Sequence, residues 1–119
     1  AFGLDEAAVA LDASDRVTPE EASRLLRVYR GRAVDVLTLA RKEQLEIVEA
    51  ETIFAIRQEF ARTLTDIVHR RTMHGLDADQ GRPLYERIAA AAATELGWSD
   101  EERETQLGAL RDFSDSLQV

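Results

Sequence analysis

Apolar residues recur at intervals of three or four through the middle of the chain, and this spacing constrains the fold more than any other feature. An α-helix has 3.6 residues per turn, so such a series lies along one helix face and needs a core to cover it. We predict one core helix here, or two nearly continuous ones with a second start at Thr63, because Asp66 follows it by three residues. The series consists of Ile53, Ile56, Phe60, Leu64 and Ile67.

Two helix-start signals lie on either side of this segment. Thr18 precedes Pro19 and Glu21, a combination in which threonine caps the helix, proline fits its first turn and glutamate favours its N-terminal dipole. Ser99 with Glu102 repeats the capping pattern further along the chain. Helices are therefore expected to begin next to Thr18 and Ser99.

Glycine and proline mark the remaining boundaries. Gly31 and Gly97 are expected to end helices, because glycine adopts the left-handed conformation there without strain. Pro83 is expected to open a helix of its own. With no credible strand and no internal repeat, these boundaries predict an all-α fold, a compact orthogonal bundle of five to six helices. The apolar helix positions outside the central series are Ala22, Leu25, Leu26, Tyr29, Ala33, Val36, Leu37, Ala40, Leu84, Ile88, Ala92, Leu96, Leu107, Leu110 and Leu117.

The N-terminal segment has a different character from the rest. Residues 1–17 mix alanine with Asp and Ser and keep no firm period, so we interpret them as a linker or N-terminal arm and 18–119 as the helical domain. The chain begins with Ala1, and its only methionine is Met73. We therefore expect a fragment of a longer protein, with a processed N-terminus as the alternative.

Composition disfavours several classes of function. Fifteen Lys and Arg against 23 Asp and Glu give a net charge of −8, which repels nucleic acids and anionic lipid surfaces. The absence of cysteine removes disulfides, thiolate catalysis and cysteine-based zinc sites, and is compatible with a cytosolic setting. The longest apolar run, at 88–93, is far shorter than the roughly 20 residues that a membrane span needs.

No catalytic, cofactor-binding or metal site is predicted within the chain. Its glycines, at 3, 31, 75, 81, 97 and 108, include no two separated by a single residue, so neither a dinucleotide fingerprint nor a P-loop is present. His69 and His74 are five residues apart and lack the spacing that puts two zinc ligands on one helix face. The acidic stretch at 77–81 has its glycine one position too early for a calcium loop.

The arginines near residue 70 suggest a contact surface instead. Arg62, Asp66 and Arg70 follow one another at intervals of four, which predicts a solvent-facing charge ladder. Arg71 continues the apolar series, so we expect it on the core side, where it needs an anionic partner or a helix C-terminus. That partner need not lie within these 119 residues. Arg71, Arg70 and Thr72 are the candidates for an interface or a substrate-facing position.

Two stretches of the chain carry a family resemblance. "AETIFAIRQEFARTLTDIVHRRT" at 50–72 and "ELGWSDEERETQL" at 95–107 resemble the C-terminal helical domain of FAD-dependent glycerol-3-phosphate dehydrogenases and the related α-glycerophosphate oxidases. The resemblance runs from about Thr18 to Phe113. "VYRGRA" at 28–33 resembles the family's tyrosine-glycine turn, with Arg30 inserted between Tyr29 and Gly31. The most specific matches are Arg57, Glu59, Thr63, Leu64, Asp66, Arg70, Arg71, Thr72, Leu96, Gly97 and Trp98.

This resemblance implies a parent enzyme that oxidises sn-glycerol 3-phosphate to dihydroxyacetone phosphate, using FAD and passing electrons to a quinone or, in oxidases, to oxygen. It also implies that the flavin and substrate sites lie in a preceding FAD-binding domain, the expected partner of this one, so that the fragment itself is not catalytic. The parent is expected in the cytoplasm or peripherally on the inner membrane face, without direct membrane insertion. Oligomeric state stays open.

Two alternatives come from other functional classes. One is a free-standing helical DNA-binding or adaptor module, with 63–74 as its recognition helix. Residues 62–74 carry Arg62, Arg70 and Arg71 against Asp66, a surplus of only two positive charges, which is small for a helix that enters a DNA groove. The other is a purely structural interaction domain without a dehydrogenase parent.

Overall fold

The computed structural model describes residues 19–72, 79 and 81–117, and its regular elements there are all helices. The predicted all-α class is confirmed. Thr18, His74 and the linker predicted at 1–17 lie outside the described residues. The helices are α1 (Pro19–Tyr29), α2 (Ala33–Lys42), α3 (Ile47–Glu59), α4 (Leu64–Asp66) with a π-helical segment (Ile67–Arg71), α5 (Tyr85–Leu96) and α6 (Asp100–Ser116), and short 3₁₀ turns occupy Arg30–Arg32 and Arg82–Leu84.

The chain divides into two compact units, Ala1–Ala50 and Glu51–Val119, with the division inside α3. In the first unit α1 contacts α2. Of the positions predicted to face a core in these two helices, six are buried and Leu26 is half-buried, whereas the side chain of Ala22 lies outside the description. Buried apolar positions of this unit are Leu25, Tyr29, Ala33, Val36, Leu37, Ala40, Ile47 and Ala50.

The end of α1 differs from the prediction at one residue. Arg30, with φ 54°, takes the left-handed conformation that we expected of Gly31, and Gly31 lies inside the 3₁₀ turn. The reason is that α1 already ends at Tyr29, so the position after the helix falls on the arginine. A similar turn follows α2, where Gln44 has φ 54° and the Leu45 N–H donates to the Ala40 carbonyl over 2.8 Å.

The central apolar series is interrupted, and Phe60 does not belong to the core. Helix α3 ends at Glu59, and Phe60 has φ 61° and a side chain that is 73% exposed. The chain then starts again at Thr63, whose Oγ1 accepts a hydrogen bond from the Asp66 N–H over 3.1 Å. Two helices rather than one therefore carry the series, and its other four members are buried as predicted.

In the second unit α4, α5 and α6 contact one another. Gly97 ends α5 with φ 71°, as predicted, and the Trp98 N–H donates to the Ala93 carbonyl over 2.9 Å. Ser99 caps α6 by accepting a hydrogen bond from the Glu102 N–H over 3.1 Å, which confirms the second start signal.

Two further positions in the second unit depart from the prediction, while Leu84 and Leu96 are half-buried. Pro83 lies in the Arg82–Leu84 3₁₀ turn, and α5 begins only at Tyr85. Leu117 was expected in the core but is 53% exposed, because α6 ends at Ser116 and Leu117 is the residue that follows it.

Candidate partner-facing surface

One face of the segment at 64–71 is buried, and this determines which of its side chains lie at the surface. Leu64, Ile67 and Val68 are fully buried. The Leu64 N–H also donates to the Gln106 side-chain oxygen over 3.1 Å, which ties the start of α4 to α6. With these side chains directed inward, the polar residues of the segment are left to the surface.

A wide π-helical turn shapes the end of this segment. The Thr72 N–H donates to the Ile67 carbonyl over 2.8 Å, five residues back instead of the four of an α-helix. The Thr72 hydroxyl donates to the same carbonyl over 3.0 Å, and Thr72 is fully buried. Such single π turns place one more residue in a turn and so rotate the following side chains relative to an α-helix. Thr72, a candidate for contact with a partner, therefore faces the interior and closes the turn.

Arg71 is displaced by this turn from the core side to the surface. Its Nε donates to Asp66 Oδ2 over 3.2 Å, and the two side chains are 40% and 22% exposed. Because π-helical hydrogen bonds join residues five positions apart, Arg71 comes to lie beside Asp66. The prediction that Arg71 points to the core was wrong, since it assumed α-helical periodicity through Arg71.

The predicted charge ladder was also wrong. Arg62 donates to the carbonyls of Ile56 and Ala61 over 3.2 and 2.8 Å, so its guanidinium closes the end of α3 rather than pairing with Asp66. Arg70 is exposed and, within the part of the chain that the structure describes, makes no hydrogen bond or ion pair. Of the two candidate arginines, Arg70 and Arg71, Arg70 thus has the guanidinium that is more available to a partner.

A hydrogen-bonded group that the sequence did not reveal lies beside this surface. The Tyr85 hydroxyl is 2.5 Å from Ser114 Oγ, and His69 Nε2 is 3.0 Å from the same oxygen. The His69 ring meets Phe113 edge-on, with ring centroids 4.9 Å apart. Burial lowers the pKa of His69, because the charged imidazolium loses solvation. These residues come from the π segment, α5 and α6, so no local spacing could have indicated the group.

This group does not form a nucleophilic or metal site. Ser114 is fully buried and Tyr85 nearly so, which leaves the serine hydroxyl out of reach of a substrate. Within the described residues, no three His, Cys, Asp or Glu side chains come together as metal ligands could. We assign the group a structural role, because the Ser114 and Tyr85 hydroxyls and His69 Nε2 serve as one another's hydrogen-bond partners.

Arg57, one of the residues that carry the family resemblance, also has a partner inside the chain. Its Nε and Nη2 donate to the two carboxylate oxygens of Glu95 over 2.8 and 3.0 Å. This bidentate pair joins the end of α3 to α5. Such paired bonds fix orientation as well as position, so Arg57 helps to hold the α3–α4 turn in place.

Comparison with known proteins agrees with this architecture. A family model described as the C-terminal domain of alpha-glycerophosphate oxidase matches residues 3–103, which include the whole of 64–72. The chain belongs to this family. The resemblance stated above is thereby confirmed, and the family places the chain as a C-terminal domain of FAD-dependent oxidoreductases. No curated protein and no solved structure matches the chain.

The described residues do not fit a flavin site of their own. Gly81 and Gly97, with positive φ, occupy single turns beside helices, and neither belongs to a glycine-rich loop that could approach a pyrophosphate. The FAD of this family is a property of the parent enzyme. None of the described helices is long and apolar enough to span a bilayer.

Proposed function

We propose that the chain is the non-catalytic C-terminal domain of an FAD-dependent glycerol-3-phosphate dehydrogenase. The parent oxidises sn-glycerol 3-phosphate to dihydroxyacetone phosphate and passes the electrons to a quinone. It works in the cytoplasm or on the inner membrane face. The observation that carries this proposal is the family match over residues 3–103. The substrate and the acceptor come from the resemblance to the dehydrogenase branch of the family.

The domain contributes a contact surface to the FAD-binding domain of the same chain, and Arg70 is central to it. An exposed guanidinium without an internal partner can form a bidentate contact with a carboxylate across a domain interface. It can equally add positive charge near an anionic substrate. Arg71 lies beside it but already shares its charge with Asp66, so its contribution to the contact is smaller.

The parent enzyme tests the reaction. Purified with its flavin and kept free of oxygen, it should lose its visible flavin absorbance when sn-glycerol 3-phosphate is added and regain it when a soluble quinone follows. A flavin that stays oxidised with sn-glycerol 3-phosphate but is reduced by an amine substrate would overturn the proposed reaction. Faster reoxidation by oxygen than by the quinone would assign the parent to the oxidases.

Variants of the parent enzyme also test the proposed contact surface around Arg70. Arg70→Ala should lower kcat/KM for sn-glycerol 3-phosphate, or lower the thermal midpoint of the flavin-containing enzyme, by more than Arg71→Ala does. Truncating one member of a desolvated charge pair typically costs about 2–5 kcal/mol, much of it from the partner left behind. Arg111→Ala is the control, because Arg111 is an exposed arginine of the same unit that is already paired with Glu86. Wild-type behaviour of Arg70→Ala in both measurements would remove the surface from the proposal.

The contacts of the arginines do not support the DNA-binding alternative. Of the three arginines in residues 62–74, Arg62 is bound to carbonyls and Arg71 to Asp66. Among the described residues of that segment, Arg70 is then the one arginine left for phosphate contacts, too few for binding that depends on several of them.

A further inference from the structure

The end of α1 carries a concentration of positive charge that the proposed function does not use. Residues 24–32, "RLLRVYRGR", contain four arginines and no acidic residue, in a chain of net charge −8. We call Arg24, Arg27, Arg30 and Arg32 the α1 arginine cluster. It occupies the last turns of α1 and the 3₁₀ turn that follows, at the negative end of the helix dipole.

Two members of the α1 arginine cluster are available for contact. Arg27 and Arg30 are exposed, and neither makes a hydrogen bond or ion pair within residues 19–72, 79 and 81–117. Arg24 and Arg32 have interactions of their own. The helix dipole accounts for one cation here, but it does not account for a second guanidinium directly after the helix.

The backbone at Arg30 shows that the fold does not require this side chain. Arg30 has φ 54°. This left-handed conformation is strained for a residue with a side chain and unstrained for glycine, yet the glycine of this turn stands one position later, at Gly31. A Cβ placed on Gly31 would meet nothing within 4 Å, so the space at the turn does not dictate the order Arg-Gly. A glycine at position 30 would relieve this strain, so the backbone of the turn does not call for an arginine there.

We propose that the α1 arginine cluster is a docking surface for a carboxylate-rich segment of a protein partner. Guanidinium forks match carboxylates bidentately, and the cluster contains arginine throughout and no lysine. At physiological salt such a patch acts only over about 8 Å, so a short acidic segment can contact it alone. A nucleic acid or a bilayer surface extends further and also meets the −8 of the whole chain.

Binding of a labelled oligoglutamate peptide to the 119-residue chain tests this docking surface. Measurements by fluorescence anisotropy at about 0.15 M ionic strength keep the charge of the rest of the chain screened beyond about 8 Å, so that the cluster is tested by itself. The wild type should bind, and binding should weaken steeply as salt rises. Arg30→Gly and Arg27→Gln should each weaken binding about threefold, in line with exposed charge pairs, and the double variant should weaken it about tenfold.

Stability measured on the same variants separates docking from folding. Arg30→Gly should raise the thermal midpoint while it weakens binding, a combination that a merely structural role cannot produce. Gln44→Gly is the control for strain, because Gln44 has the same φ of 54° but no charge; it should raise the midpoint and leave binding unchanged. Lys42→Gln is the control for charge, since Lys42 is an exposed cation of the same unit outside the cluster.

Three results would overturn the docking surface. One is equal peptide binding by the wild type and the Arg27→Gln, Arg30→Gly double variant. Another is binding of phosphatidylglycerol vesicles, lost in that double variant, with no binding of oligoglutamate, which would make the patch a lipid contact. The third is self-association of the chain that the double variant abolishes, which would make a second copy the partner.

Discussion

Asp66 and Arg71 form an ion pair across one π-helical turn, with Oδ2 and Nε 3.2 Å apart. In an α-helix Asp66 would meet Arg70 instead, four residues on. The wide turn therefore decides which of the two arginines is paired with Asp66 and which stays exposed. Thr72 maintains this arrangement, because both its backbone and its hydroxyl bind the Ile67 carbonyl.

This pairing predicts different effects of two neighbouring substitutions on stability. Arg71→Ala should lower the free energy of unfolding of the chain by at most about 1 kcal/mol, since both members of the pair keep contact with solvent. Arg70→Ala should leave it unchanged, because Arg70 has no partner among the described residues. Urea unfolding followed by circular dichroism measures both values. The reverse order would show that Arg70, not Arg71, is paired in solution.

Phe60 predicts a stabilising substitution. Phe60→Gly should raise the free energy of unfolding by about 1 kcal/mol, because a left-handed backbone costs a side-chain-bearing residue roughly that much and the ring is mostly exposed. Phe60→Ala is the control, since it removes the ring but keeps the Cβ that causes the strain. Equal denaturation midpoints for the two variants would contradict the strain at this residue.

Removal of the Ser114 hydroxyl is expected to lower the stability of the chain substantially. Ser114→Ala should lower the free energy of unfolding by about 1–3 kcal/mol, because it removes the shared partner of the buried Tyr85 hydroxyl and of His69. Ser116→Ala, two residues on, serves as the control: its hydroxyl bonds the Phe113 carbonyl at an exposed position, where water can replace it. Similar midpoints for the two variants in thermal unfolding would argue against the buried group.

His69 predicts a dependence of stability on pH. Burial lowers its pKa from 6.5 in the folded chain, whereas the unfolded chain binds the proton near 6.5. Between these two values the unfolded state holds more protons, so acidification destabilises the fold. The free energy of unfolding should thus decrease as the pH falls below about 6.5 and level off below the folded pKa. His69→Gln should reduce this decrease, and an identical decrease in the variant would assign it to other groups.

The cap of α6 gives a prediction from local sequence alone. Ser99→Ala should destabilise the chain by about 1 kcal/mol, the usual effect of a lost N-cap, whereas Ser99→Asp should keep the stability because aspartate also accepts the bond from the Glu102 N–H. Thermal midpoints of the two variants provide the comparison. An unchanged midpoint for Ser99→Ala would mean that the cap contributes nothing in solution.

The features that sequence predicted correctly are those in which neighbouring residues determine the structure. Thr63, Gly97 and Ser99 act on backbone groups within five positions of themselves, so their chemistry is readable in the chain. The apolar spacing likewise identified the buried faces of α1 and α2.

Two predictions were wrong because they assumed one continuous α-helical period through residues 53–71: the core position of Phe60 and the core-facing position of Arg71. A break at Phe60 and a π turn at 67–71 both leave the three-to-four spacing of apolar residues intact, so the pattern could not show them. The break and the π turn affect the polar residues, so the neighbours of Arg62, Arg70 and Arg71 in the structure differ from those predicted. The group around Ser114 joins residues 29 and 45 positions apart, and only the tertiary fold brings these together.

The ends of the first three helices differ from the end of α5 in how they respond to thermal motion. Arg30, Gln44 and Phe60 release strain when their turns open, whereas Gly97 has none to release. Opening at the first three ends therefore requires less free energy, and their amide hydrogens exchange with solvent sooner. In deuterated water, label should enter the turns after α1, α2 and α3 before it enters the turn after α5, so that these three junctions open more readily than the junction between α5 and α6.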